Sequence, residues 1–270
     1  AAMAKVLKQP IIVENVPGGG GTIGPRRVAK IAPDGYTLMH GNTGLVTAPA
    51  LFKDPGFDPL ADFDFIGLVS FDPSVVMARN DFPAPTAFKE FIAYIKANAS
   101  DIKFGAPAGP SHYASLLFMD FAKAKLTLVP YQAAPPAMND LLAGRIDMLS
   151  NSAVVVAPFI RAGKVRAIGV GSKKRLPSLP DVPTMDEAGF ASFPGGRPWW
   201  GLVVPAGTPD AIVRKFNTEI ASIFQMPEVV DFMKKQFLDV DVSGPEAFAE
   251  FLKKDRDSAD HMVKTYKMAQ

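Results

Sequence analysis

Short β-rich runs alternate with amphipathic helical runs along this chain, and that alternation limits the possible folds more than any other feature. Strands that take turns with helices favour sheets covered by helices. Ile11-Ile12-Val13 reads as a strand. Gly18 to Gly21 follow, then a helix through Ala32 with Pro25 in its first turn. Pro33-Asp34-Gly35 reads as a turn before a strand over Tyr36 to His40. Phe63 to Ser70 and Ser74 to Arg79 are two more extended runs. Thr86 opens a helix whose Phe88, Phe91, Ile92 and Ile95 share one face. Further strands are expected at Ile102 to Phe104, Leu126 to Tyr131, Ile146 to Leu149, Val165 to Val170 and Trp199 to Val204. Ser111 is placed to cap the helix carrying Leu116, Leu117 and Phe121. Gly144 stops the helix through Met138 and Leu141. Thr184 with Glu187, and Ser243 with Glu246, have the spacing of reciprocal helix caps.

The chain has 270 residues, enough for two domains. The extended segments near Val75 to Arg79 and Gly201 to Pro205 bracket a middle block with its own strand–helix alternation. The expected architecture is therefore α/β with two lobes, residues 1–76 with 204–270 and residues 77–203, joined by two hinge crossovers. Each lobe is expected to hold a mostly parallel sheet flanked by helices. Hydrophobic residues make up 48% of the chain and charged residues 21%, so disordered and fibrous classes fall away. The net charge is +2 and the basic residues are scattered, which argues against a nucleic-acid partner. Cysteine is absent, which excludes disulfides and thiol chemistry and suits an oxidising compartment. No run reaches the roughly 20 apolar residues of a membrane span. The opening Ala1 to Lys8 reads as the end of an amphipathic helix, which points to residues upstream.

Gly19-Gly20-Gly21-Thr22-Ile23-Gly24 matches a dinucleotide fingerprint, but no acidic residue ends the next strand, His40-Gly41-Asn42. A tight turn with free N–H groups is the better reading, and no cofactor is expected. His40, His112 and His261 lack metal-ligand spacing, so no metal is expected. No nucleophile elbow and no acid–base pair is found, so no catalytic residue is assigned and the chain is read as no enzyme. What recurs is a small polar segment after a strand and before a helix. Four occur: Gly41-Asn42-Thr43-Gly44, Gly105 to Ser111, Tyr131 to Ala134, and Ser150-Asn151-Ser152. Ligands of open α/β sheets sit beyond the carboxyl ends of strands, where helix N-termini favour anions. The candidate ligand-binding residues are Gly41, Asn42, Thr43, Gly105, Ser111, His112, Tyr131, Asn151 and Ser152. One of Trp199 and Trp200 is expected in the core and the other in a cleft wall. Asp72, near a crossover, would favour an amino group on the ligand.

Val13-Glu14-Asn15-Val16-Pro17-Gly18-Gly19-Gly20-Gly21-Thr22-Ile23-Gly24, followed by Ala32-Pro33-Asp34-Gly35-Tyr36-Thr37-Leu38, resembles the signature of Bug-type substrate-binding proteins of tripartite tricarboxylate transporters. Val129-Pro130-Tyr131 through Asp140-Leu141-Leu142-Ala143-Gly144 and Ile146-Asp147-Met148 is similar to a second signature. Leu179-Pro180-Asp181-Val182-Pro183-Thr184 with Glu187-Ala188-Gly189 resembles a third. Trp200-Gly201-Leu202 and Pro205-Ala206-Gly207-Thr208-Pro209 resemble a fourth. The matches follow the family's order over nearly the whole chain. The resemblance implies a type II periplasmic-binding-protein fold, a Venus flytrap of two lobes. It implies a monomer in the periplasm that captures a small carboxylate (a di- or tricarboxylate, or an aromatic or amino acid) and delivers it to membrane permease subunits. A ligand sensor feeding a signalling receptor is the alternative. The family's first strand and loop find no counterpart here, and its usual Tyr-Lys-Gly reads Tyr131-Gln132-Ala133.

Overall fold

The computed structural model describes residues 2–16, 18–107, 110–189 and 198–266. It forms two compact units, Ala1–Phe71 with Trp199–Gln270, and Asp72–Pro198. The expected boundaries at 76/77 and 203/204 would cut through two strands that the structure keeps whole. Ser74–Arg79 pairs along its length inside the second unit, and Trp199–Pro205 inside the first.

The first unit contains a four-stranded sheet. In chain order the strands are β1 (Met39–Asn42), β2 (Phe63–Phe71), β8 (Trp199–Pro205) and β9 (Asp239–Val240), numbered along the whole chain. Their spatial order is β1-β8-β2-β9, and every pair is antiparallel. Around it lie α1 (Ala2–Leu7), α2 (Ile23–Val28), α3 (Gly44–Leu51), α8 (Asp210–Ile223), α9 (Pro227–Lys235) and α10 (Pro245–Tyr266). Neighbouring residues of a strand face opposite ways, so β8 feeds two cores. Trp199 joins Leu45, Phe63, Phe248 and Leu252 in one. Trp200 packs against Ile66, Val69, Val213 and Ile220 in the other. With both faces covered, β2 reads as an almost continuous apolar run rather than an alternating one.

The second unit holds β3 (Ser74–Arg79), β4 (Lys103–Pro107), β5 (Thr127–Tyr131), β6 (Met148–Ser152) and β7 (Val165–Val170). Its helices are α4 (Phe88–Ala97), α5 (Pro110–Ala122), α6 (Ala134–Leu142) and α7 (Ala153–Arg161). The strand order is β5-β4-β6-β3-β7. β4 runs parallel to β5 and β6, while β3 is antiparallel to β6 and β7. Asp147 fixes the start of β6: its carboxylate accepts from Arg79 Nε at 3.0 Å and from the Lys103 backbone N–H at 2.9 Å. Gly144 adopts φ +70° just beyond α6, the left-handed geometry that ends a helix at little steric cost.

Several local expectations are corrected. Neither sheet is mostly parallel: the first is antiparallel throughout and the second is mixed, because the chain leaves the first unit through β2 and enters the second through β3, and both strands pair antiparallel with their neighbours. Ile11-Ile12-Val13 is no strand: it has no partner among the described residues, and Ile12 is 90% exposed. The strand expected at Tyr36 begins at Met39, and the helix expected through Ala32 ends at Val28. Ser243 does not form a reciprocal cap. Its hydroxyl instead accepts from the Leu68 backbone N–H at 3.3 Å, tying the approach of α10 to β2. Thr184 and Glu187 do exchange both bonds, at 2.8 and 3.1 Å, but on a turn rather than a helix.

Asp255 on α10 gives a pH-dependent prediction. Its carboxylate accepts from Trp199 Nε1 at 2.6 Å. Burial pushes its pKa up to about 6, against the lowering effect of that hydrogen bond. A carboxyl raised in the folded state is harmless below its unfolded pKa and destabilising once pH has risen through the folded value. Asp255→Asn keeps an acceptor for the indole and removes the buried charge. It is expected to stabilise by about 2–3 kcal/mol near pH 8 and by almost nothing near pH 4. Thermal melts at the two pH values check this; an equal gain at both would contradict it.

Candidate functional site

In the second unit the carboxyl ends of the parallel strands β4, β5 and β6 lie along one sheet edge, followed in the chain by α5, α6 and α7. β6 runs three residues further than the sequence pattern suggests. Ser150, Asn151 and Ser152 are therefore strand residues, paired with Val76, Val75 and Ser74, and not a loop. The polar run sits where a buried strand would normally be apolar. Ser150 is completely buried, and its hydroxyl has no hydrogen-bond partner.

Asn151 is 3% exposed. Its Oδ1 accepts from the Ser152 backbone N–H at 2.8 Å and from Ser111 Oγ at 3.3 Å. A backbone N–H can only donate, so the amide orientation is set by that bond. The Nδ2 group is left buried without an acceptor. A buried donor left unmade costs about 1–3 kcal/mol, which an incoming oxygen could recover. Ser111 does not cap α5, which begins at Pro110; it lies inside the first turn, and its hydroxyl reaches Asn151 instead.

Ser152 Oγ donates to Asp72 Oδ1 at 2.6 Å. Burial raises the Asp72 pKa, and the Ser152 hydrogen bond opposes the rise. The Asp72 backbone N–H donates to the Pro198 carbonyl at 2.7 Å. On α5, burial lowers the His112 pKa, opposed by a backbone hydrogen bond with Ala106. The structure thus gathers Ser111, Asn151, Ser152 and Asp72 into one hydrogen-bonded set.

Other sequence candidates have structural occupations. Gly105 lies inside β4, and a Cβ there would meet Ile146 Cδ1 at 2.6 Å. Tyr131 ends β5, and its hydroxyl donates to Asp140 at 2.8 Å, with Arg145 on the other carboxylate oxygen. Burial and that carboxylate push the Tyr131 pKa up to about 12.

In the first unit, β1 passes directly into α3 with no intervening loop. Gly41 and Asn42 are the last residues of β1. The Asn42 Oδ1 accepts from the Gly44 N–H at 2.8 Å. Thr43 is buried, and its Oγ1 accepts from the Trp199 backbone N–H at 3.1 Å, which anchors the start of β8. His40 stacks on Trp200, with ring centroids 4.8 Å apart. The sequence missed that Thr43 joins distant strands, because a contact 156 residues apart leaves no local pattern.

The arrangement offers hydrogen-bond donors and one carboxylate. Among the described residues, no three metal-ligating side chains cluster and no helix is long and apolar enough to cross a membrane. Two α/β units, the second with polar groups at the carboxyl ends of its parallel strands, have the make-up of a binding protein. The profile of the tripartite tricarboxylate transporter family receptor, TctC, matches residues 1–268, and the chain belongs to that family. The family's members and structural neighbours are periplasmic solute-binding proteins, not enzymes.

A relative from Agrobacterium vitis, a UPF0065 protein in the TAR-I ttuE-ttuC' intergenic region, is 36% identical over 233 residues. That match covers 85% of this chain and 66% of the relative, so this chain spans just under two thirds of the relative's length. The structure of the periplasmic binding protein BugD is similar at 35% identity and a TM-score of 0.76, covering 99% of this chain and 90% of BugD. MatC from Rhodopseudomonas palustris, solved with bound malate, is similar at 33% identity and a TM-score of 0.76, covering 97% of this chain and 91% of MatC.

Proposed function

We propose that this chain captures a small carboxylate in the periplasm, as a monomer, and delivers it to the membrane permease subunits of a tripartite tricarboxylate transporter. The observation that carries the reading is the buried Asn151 amide with an unused donor at the carboxyl end of β6. A carboxylate oxygen is a natural acceptor for it, and the positive end of the α5 dipole favours an anion nearby. Ser111 and Ser152 hold the amide in place. Within the second unit we assign Gly105, His112 and Tyr131 supporting roles around the ligand; within the first, Gly41, Asn42 and Thr43 stay candidate ligand residues by their place at the junction of β1 and α3. Gly105 acts through backbone shape, since a Cβ there would meet Ile146 Cδ1. Malate in MatC is consistent with this ligand class.

A thermal-shift and calorimetry panel of mono-, di- and tricarboxylates tests the reading. A ligand at 100 times its Kd adds about 2.7 kcal/mol, a shift of several degrees for a protein of this size. Asn151→Ala is expected to weaken binding about 10- to 100-fold, because the ligand loses a charge-assisted bond. A panel in which no carboxylate binds, while sugars or nucleotides do, would overturn the proposal.

A further inference from the structure

Helix α5 is apolar along most of its buried length. Ala114, Leu116, Leu117, Phe118 and Met119 are each no more than 2% exposed, and the one polar side chain among them, Ser115, is completely buried. Alanine would fill that space without a hydroxyl to bury. A serine inside a helix, bonded back to the carbonyl four residues earlier, adds nothing to helix stability. Packing and helix formation therefore do not account for Ser115.

Its hydrogen bonds do. Ser115 Oγ lies 2.9 Å from the Ser111 carbonyl oxygen, one turn back on α5, and 3.3 Å from the Gly105 carbonyl oxygen on β4. A hydroxyl carries one proton, so the two carbonyls share it. The contact with Gly105 crosses from helix to sheet and fastens the first turn of α5 to β4. Gly105 stands beside Leu149 in the parallel β4–β6 pair, and Asn151 lies two residues further along β6 on the same face as Leu149. From the turn that Ser115 fastens, the Ser111 hydroxyl donates to Asn151 Oδ1 at 3.3 Å. A polar seam thus runs from β4 through α5 to the Asn151 amide, whose N–H group has no acceptor.

We infer that Ser115 is a positioning residue for the solute site. It locks the first turn of α5 onto β4, so that the Ser111 hydroxyl keeps the Asn151 oxygen engaged and leaves the amide N–H group for the carboxylate. The inference rests on the carboxylate-capture reading and adds to it a residue that acts through Ser111 and Asn151 rather than on the ligand.

A double-mutant cycle on the intact chain tests it. Calorimetry near pH 7 uses the tightest binder among succinate, malate and citrate. Ser115→Ala is expected to weaken it about 3- to 10-fold, the worth of one neutral hydrogen bond. Ser111→Ala should cost a similar factor. In the Ser111→Ala background, Ser115→Ala should cost less than about twofold more, because the link is already broken. Melting temperature should fall by about 2–4 °C for Ser115→Ala in both backgrounds. A second readout needs no ligand. The side-chain amide signal of Asn151, identified by its loss in Asn151→Asp, should move in nuclear magnetic resonance spectra of Ser115→Ala and of Ser111→Ala alike.

A lower melting temperature with unchanged affinity would make Ser115 merely structural and overturn the inference while carboxylate capture stands. Losses that add in full across the two serines overturn it too, as does an Asn151 amide signal that stays in place in Ser115→Ala. If Ser115→Ala does not fold, Ser115→Cys, close in size and a weak donor, takes its place in the cycle. A wild-type protein that binds no carboxylate overturns the carboxylate reading, and this inference with it.

Discussion

Trp199→Ala is expected to lower the stability of the first unit by about 3–5 kcal/mol, the cost of emptying a large, fully packed aromatic site. Trp199 is 1% exposed. Its ring meets Phe248 edge-on at 5.4 Å and Phe251 at 6.1 Å. Both phenylalanines lie on α10, so the indole joins β8 to that helix. The truncation also leaves Asp255 without its 2.6 Å donor. That hydrogen bond favours the charged carboxylate, so its loss should hurt most above the Asp255 pKa of about 6. Trp199→Phe separates the two contributions: it keeps much of the ring contact and deletes the N–H. It should destabilise by about 1–2 kcal/mol near pH 8 and less near pH 4. Trp200 is the second of two tryptophans and remains as the fluorescence reporter of urea unfolding. A loss under about 1 kcal/mol for Trp199→Ala would refute the packing account.

The second large effect is expected at Gly67, where the added methyl group has no room. A Cβ on Gly67 would lie 2.4 Å from the Ser243 carbonyl oxygen and 2.8 Å from Asn217 Nδ2. These atoms form a seam. Asn217 Nδ2 donates to the Ile66 and Ser243 carbonyls, both at 2.9 Å, and the Ser243 N–H donates to the Leu68 carbonyl at 3.1 Å. The seam fastens the approach of α10 onto β2. Gly→Ala at an unstrained site normally stabilises by about 0.4–1 kcal/mol, because it restricts the unfolded chain. At Gly67 the sign reverses, and Gly67→Ala should destabilise by about 2–3 kcal/mol as backbone and bridge are pushed apart. Gly24, inside α2, is the internal comparison. Its Cβ would meet nothing nearer than the Val16 carbonyl oxygen at 3.7 Å, so Gly24→Ala should be neutral or stabilising. Denaturant midpoints of the two variants, measured side by side, check the contrast.

These expectations show where the sequence was legible. The amphipathic spacing of Phe91 and Ile95 located α4, and both residues are buried in it. The glycine stop after α6 and the reciprocal Thr184–Glu187 bonds are local chemistry, and both are present. The family signatures also lie in local runs. Strand sense was not legible, because a residue run carries no record of its partner's direction: β3 and β4 both read as short extended runs and pair in opposite senses with β6. The Ile11-Ile12-Val13 run has strand composition and no partner among the described residues, since β-propensity reflects a fit to neighbours.

The small polar segments after the strands were visible in the sequence, but their employment was not. Tyr131 is committed to Asp140, Thr43 to Trp199, and Gly105 to the packing of Ile146. Asn151 alone of the nine candidates keeps a buried, unused donor, with its oxygen turned to the Ser152 N–H and to the Ser111 hydroxyl 40 residues away. The sequence by itself determined the α/β class, the family and the pool of polar residues, because periodicity, turn chemistry and motifs are properties of neighbours along the chain. Only the tertiary structure decided which of those residues remain free to bind, because hydrogen-bond satisfaction and burial depend on partners that the chain brings together from afar.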